Sequence, residues 1–131
     1  MKAFDLVYIV EDDLITSSIN KLLLKKRAEF GVVQQYMNGQ TAFDALQQVA
    51  RSGQHAPDLI LLDINMPVMD GWEFLDALAT LHLPERVCIC VLTSSIHPED
   101  LEKSQSYHEV KGYFTKPLDD TSLSQLIALA A

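Results

Sequence analysis

The residues able to do chemistry in this chain stand at the ends of apolar runs: Glu11-Asp12-Asp13, Asp63, Thr93 and Lys116. Asp63 closes the run Asp58-Leu59-Ile60-Leu61-Leu62 and precedes Ile64-Asn65-Met66-Pro67-Val68-Met69-Asp70-Gly71. Four apolar residues between an upstream proline and a Pro/Gly turn predict a strand buried on both faces, as in the middle of a parallel sheet. An acid at its C-terminal end stands at the tip, where ligands bind in an open α/β sheet. The plainer alternative is that Asp63 only starts a turn with Asn65 and Pro67. Several carboxylates in one cleft repel one another and bind protons more tightly unless a cation compensates. Hard oxygen donors without Cys or His point to Mg²⁺, which takes one or two carboxylates and keeps several waters. A metal beside a carboxylate, a hydroxyl and an ammonium makes a phosphoryl site. Asp63 attacks, metal and Lys116 neutralise charge on the transferred group, and Thr93 donates to a phosphoryl oxygen.

Positioning these groups requires strands that end together. Residues 4–10 predict a strand that runs into the three acids, followed by a helix with Leu14, Ile15, Ile19, Leu22 and Leu23 on one face. Lys25-Lys26-Arg27 suit its last turn, and Gly31 is expected to stop it. A short strand over 32–36 precedes a helix capped by Asn38, with Ala42, Ala45, Leu46, Val49 and Ala50 as its stripe and Ser52-Gly53 at its end. Asp70 and Glu73 have the spacing of a capping box for a helix that buries Phe74, Leu75 and Leu78. After Pro84, residues 87–92 predict a fourth strand, ending in Thr93-Ser94-Ser95. The next helix, about 99–107, has only Leu101 and Tyr107 as large apolar residues and is expected to be loosely held. A fifth strand over 111–115, the turn Lys116-Pro117 and a last helix capped by Asp119-Asp120, with Leu123, Leu126, Ile127 and Ala130 inward, complete the pattern. Alternating strands and helices predict a doubly wound α/β fold, a parallel sheet with right-handed crossovers and helices on both faces.

Composition bounds the function. At 131 residues the expectation is one domain, 1–131, carrying the whole activity. With 48% hydrophobic and 21% charged residues the chain is neither disordered nor membrane-spanning, and no signal peptide is visible, so a soluble cytoplasmic protein is expected. A net charge of −8 argues against direct nucleic-acid binding, where basic residues must meet phosphates. Cys88 and Cys90 point to one face of a strand and read as core thiols. His55, His82, His97 and His108 are scattered without metal-ligand spacing and read as surface residues.

Together these motifs resemble the receiver domain of bacterial two-component response regulators, along essentially the whole chain. The matching elements are Asp12-Asp13, Asp63 with Met66-Pro67-Val68-Met69-Asp70-Gly71, Thr93-Ser94, and Tyr113 three residues before Lys116-Pro117. The resemblance implies a flavodoxin-like five-stranded sheet of order 2-1-3-4-5 with five helices. It implies Asp63 as phospho-acceptor and Mg²⁺ held by Asp12, Asp13, Asp63 and the backbone carbonyl of Asn65. It implies Lys116 pairing with the acceptor, Thr93 and Tyr113 as switch residues, and a cis Lys116-Pro117 bond. A histidine kinase would supply the phosphoryl group. Output would be protein contacts on the 97–131 face, by a monomer or a phosphorylation-dependent homodimer, or transfer to a histidine phosphotransfer protein. Ser94 and Ser95 depart mildly from the small residues usual there.

Two other classes fit less well. A metal-dependent phosphatase with an aspartyl nucleophile needs a second acid two residues on, where this chain has Asn65. No enzymatic turnover is therefore expected beyond self-phosphorylation from a donor and autodephosphorylation. A flavin-phosphate binder wants a Ser/Thr/Gly-rich loop after the first strand, and Glu11-Asp12-Asp13 would repel that anion.

Overall fold

A computed structural model of the chain describes residues 3–83, 87–94, 98–116 and 118–130. Pro84, Ser95, His97 and Pro117, and with Pro117 the expected cis bond, lie outside the described residues. The strands are β1 (Phe4–Val10), β2 (Phe30–Tyr36), β3 (Leu59–Asp63), β4 (Cys88–Thr93) and β5 (Val110–Thr115). The helices between and after them are α1 (Leu14–Lys25), α2 (Gly39–Ser52), α3 (Gly71–Leu78), α4 (Pro98–Ser104) and α5 (Asp120–Leu129). All strand pairings are parallel, in the order β2-β1-β3-β4-β5. This is the doubly wound arrangement that the alternating pattern predicts.

Every residue of β3 is buried, because the sheet carries a core on each face. One core gathers Tyr8, Val10, Leu46, Ile60, Leu62, Phe74 and Val91, and the other Val7, Ile9, Leu24, Leu59, Leu61, Leu123 and Leu126. Local signals set several helix ends. Asn38 Oδ1 accepts from Thr41 N at 2.9 Å, and Asp119 Oδ1 from Ser122 N at 2.8 Å. Asp70 and Glu73 form the capping box, with Glu73 N donating to Asp70 Oδ1 and Asp70 N to Glu73 Oε1. Gly53 closes α2 with φ of 70°, a left-handed conformation natural to glycine.

Four expectations are corrected. Of the apolar stripe of α1 only Leu23 packs against a core, and the rest faces solvent: Leu14, Ile15, Ile19 and Leu22 are 60%, 73%, 45% and 65% exposed. The side of α1 that packs inward carries Ser17, Asn20 and Leu24 instead. Gly31 is not a helix stop but the second residue of β2, where a Cβ would lie 2.3 Å from the Asp5 carbonyl oxygen. The fourth helix ends at Ser104, its one buried residue, and Tyr107 lies beyond it. Ala130 is exposed beyond the end of α5. The cysteines are core residues as read, Cys90 buried and Cys88 partly so.

Candidate phosphoryl site

Parallel strands that stop on one edge bring Glu11, Asp63, Thr93 and Lys116 together there, each within a residue of a strand's C-terminal end. Asp63 is 4% exposed. Its Oδ1 accepts a hydrogen bond from Asn65 N at 3.2 Å, and its Oδ2 lies 3.4 Å from Lys116 Nζ. The β3–α3 loop must turn sharply to leave room above it. Gly71 permits this: a Cβ there would come 2.8 Å from the Asp63 carbonyl oxygen, while Gly71 N donates to Ile64 O at 2.9 Å. Thr93 is buried, and its carbonyl accepts from Lys116 N at 2.8 Å, which fixes the lysine's backbone beside the acceptor.

The acid trio divides in a way the residues alone did not disclose. Glu11 is 2% exposed and forms an ion pair with Lys116. Carboxylate oxygens of Glu11, Asp12 and Asp63 lie within 4.8 Å of one another. Asp13, expected as a ligand with Asp12, lines the same cavity, but its carboxylate caps α1. Its Oδ1 accepts from Ile15 N at 3.0 Å and its Oδ2 from the Thr16 hydroxyl at 2.9 Å. Those bonds hold the Asp13 carboxyl below the usual range. The acidic pair of the cluster is thus Glu11-Asp12, one residue earlier than expected. The signal that could have found it is the strong preference of Asp for the N-cap, which claims the residue immediately before the helix.

Burial, and secondarily the neighbouring Asp63, push the Glu11 carboxyl up to about 7 against the opposing pull of Lys116. Burial would also lower the Lys116 ammonium, but Glu11 and Asp63 outweigh it and hold it above its ordinary value. The residues fit a divalent cation on these grounds. Three carboxylates converge on one cavity of about 420 Å³ that Lys116 also lines. Asn20, 1% exposed, lines the same cavity with neither amide atom hydrogen-bonded, as suits a side chain awaiting a hydrated ion.

Tyr113 is partly buried on β5, and its hydroxyl is wholly out of water with no hydrogen-bond partner. Burial, and then the charge of Asp100, raise that hydroxyl's pKa. Trp72, near the start of α3, stacks on Tyr107 with centroids 5.5 Å apart and lies under Lys103 Nζ at 5.1 Å. The Tyr107 hydroxyl donates to Asp76 Oδ1 at 2.9 Å, so α3 holds the chain just beyond α4.

Residues 7–128 match the family model of the response regulator receiver domain. The chain belongs to that family. Its structure superposes on a two-component response regulator from Cytophaga hutchinsonii with a TM-score of 0.89 at 29% identity, over 99% of this chain and 98% of the other. The Mn²⁺-bound form of the response regulator Rcp1 matches with a TM-score of 0.71 at 28% identity, over 94% and 88%. The nitrate/nitrite response regulator NarL of Escherichia coli is 30% identical over 125 residues. That match covers 95% of this receiver domain and 54% of NarL, so the chain spans about half the length of that relative. Receiver domains are signalling switches phosphorylated on an aspartate, and they bind Mg²⁺ or Mn²⁺ at their acid pocket. Among the described residues, no helix is long and apolar enough to cross a membrane.

Proposed function

We propose that this receiver domain accepts a phosphoryl group on Asp63 from a histidine kinase and signals by protein contacts. The observation that carries the reading is the buried Asp63 carboxylate, 3.4 Å from Lys116 Nζ and clustered with Glu11 and Asp12 at the strand ends. Glu11, Asp12, Asp63 and the backbone carbonyl of Asn65 would hold Mg²⁺, which when bound supplies charge neutralisation for the transferred group. An Asp63 oxygen attacks phosphorus, the bond from phosphorus to the donor breaks, and the donor leaves with the electron pair. Lys116 then exchanges part of its pairing with carboxylates for a phosphoryl oxygen, and the Thr93 hydroxyl donates to another.

The added charge, up to about two units, changes what the strand ends attract. Thr93 and Tyr113 would carry that change to α4, β5 and α5, whose surface would meet the partner. Support for α4 as the mobile element is its single buried residue, Ser104. The outward stripe of α1 supports a second contact. Ile19 and Thr16 line the acceptor cavity, so a donor protein docked on Leu14, Ile15, Ile19 and Leu22 would stand over Asp63. The same docking would serve a histidine phosphotransfer protein as recipient.

Intact mass after incubation with acetyl phosphate and Mg²⁺ tests the reading. One added phosphoryl group is expected, absent without Mg²⁺ and absent in Asp63→Asn. No gain from acetyl phosphate or from any histidine kinase would reduce the chain to a phosphate-independent interaction domain.

A further inference from the structure

The edge of the sheet opposite Asp63 holds a second group of metal-ligating side chains. Asp5 is the second residue of β1, Asp58 directly precedes β3, and His55 lies in the segment joining α2 to β3. A carboxylate oxygen from each aspartate and a ring nitrogen of His55 lie within 4.8 Å of one another. Donors at about 2.0–2.2 Å from a shared ion are themselves about 3–4.4 Å apart, so only a small contraction closes the set. Asp5 and His55 are exposed, while Asp58 is partly buried.

Asp58 is also the anchored member. Its Oδ2 accepts from Asp5 N at 2.7 Å and Leu6 N at 2.9 Å. Its own N–H donates to Leu6 O at 2.8 Å, and its carbonyl accepts from Cys88 N at 3.0 Å. The middle carboxylate is therefore held by the sheet itself, which is the orientation that hydrogen bonds to a ligand provide in metal sites. The imidazole makes this donor set chemically unlike the acid cluster at the other edge. Imidazole nitrogen suits zinc, nickel and copper, whereas Mg²⁺ asks for oxygen ligands and sheds water reluctantly.

We propose that Asp5, His55 and Asp58 form a binding site for a divalent transition-metal ion of the zinc type, separate from the Mg²⁺ pocket. Three protein ligands leave coordination positions for water. The ion ties the α2–β3 segment to the starts of β1 and β3. No single stretch of sequence discloses it, since the ligands meet only when β1 and β3 pair.

The test is a zinc titration against a chromophoric chelator, with millimolar Mg²⁺ present to compete at the acid pocket. The proteins compared are wild type, His55→Ala, Asp5→Asn and Asp63→Asn. Wild type and Asp63→Asn are expected to bind one zinc ion with equal affinity. His55→Ala and Asp5→Asn should bind at least about tenfold more weakly, the loss that even outer partners of metal ligands produce. Zinc should raise the melting temperature of wild type and not of His55→Ala, whose circular dichroism and Mg²⁺-dependent phosphorylation stay unchanged. Wild type failing to compete with the chelator would overturn the proposal. So would His55→Ala binding zinc as tightly as wild type, or Asp63→Asn losing the ion.

Discussion

Glu11 and Asp63 face the same ammonium. Lys116 forms an ion pair with Glu11, and its Nζ is 3.4 Å from Asp63 Oδ2. One positive charge between two buried carboxylates leaves the site a charge short. Burial first, and that shortage second, push the Glu11 carboxyl up to about 7.

The first prediction concerns pH. Glu11 binds its proton more tightly folded than unfolded, where its ordinary value is 4.5. Below that value it is protonated in both states and its burial costs no charge. Between 4.5 and about 7 the folded state holds more protons, so its contribution to stability falls as pH rises. Metal-free protein should therefore lose stability from about pH 5 to about pH 7.5, and Glu11→Gln should flatten that loss. Mg²⁺ adds the missing charge, so it should raise the melting temperature more at the higher pH. Identical pH slopes for wild type and Glu11→Gln in thermal unfolding would refute this account.

A second prediction uses Val68, which has φ of 71° and is 81% exposed. Met69 N donates to Pro67 O at 2.8 Å around it, the i to i+2 bond of a γ-turn. A β-branched residue in the left-handed region is strained by about 1–3 kcal/mol, and glycine relieves that while adding unfolded-state entropy. Val68→Gly should stabilise the fold by about 0.5–1 kcal/mol in urea unfolding. A loss of stability would show that the Val68 side chain makes up for its backbone.

The third concerns the fastening of α4. Tyr107 stacks on Trp72 and bonds Asp76, while α4 itself buries only Ser104. Removing the ring with Tyr107→Ala should cost about 1 kcal/mol and speed amide exchange across 98–104 by about fivefold. Exchange equal to wild type would mean that α4 is held by something other than this stack.

The fourth separates docking from chemistry. Ile15 is 73% exposed on α1 and contacts neither core, so Ile15→Glu should leave the fold and phosphorylation by acetyl phosphate unchanged. Phosphotransfer from a histidine kinase should fall by about tenfold or more, the loss of about 1.4 kcal/mol that one buried apolar anchor at an interface exceeds. Equal losses with both donors would place the defect at Asp63 rather than on α1.

Much of this was readable from residues alone, for identifiable reasons. β3 is apolar on both faces because both faces are buried, and Asn38, Asp70 with Glu73, and Asp119 cap their helices through local bonds. The readings that failed needed tertiary information. The stripe of α1 has the spacing of a core face, yet Ser17, Asn20 and Leu24 pack inward while Leu14, Ile15, Ile19 and Leu22 face water. Which of three consecutive acids gives its carboxylate to the cluster depends on where the helix begins, and the helix took Asp13 as its N-cap. Gly31 resembles a helix stop in sequence, but its role is the close approach of β2 to Asp5.

The outward apolar face of α1 also bears on the colloidal behaviour of the protein. A molecule that presents isoleucine and leucine to water stays dispersed in part by mutual repulsion, which a net charge of −8 supplies near neutrality. Toward its isoelectric point, about 4.7, that repulsion vanishes while the apolar face remains. Acidic storage, a natural choice for keeping Glu11 protonated, would then bring the α1 faces of separate molecules together. Clarification, concentration and crystallisation are better done well above that pH.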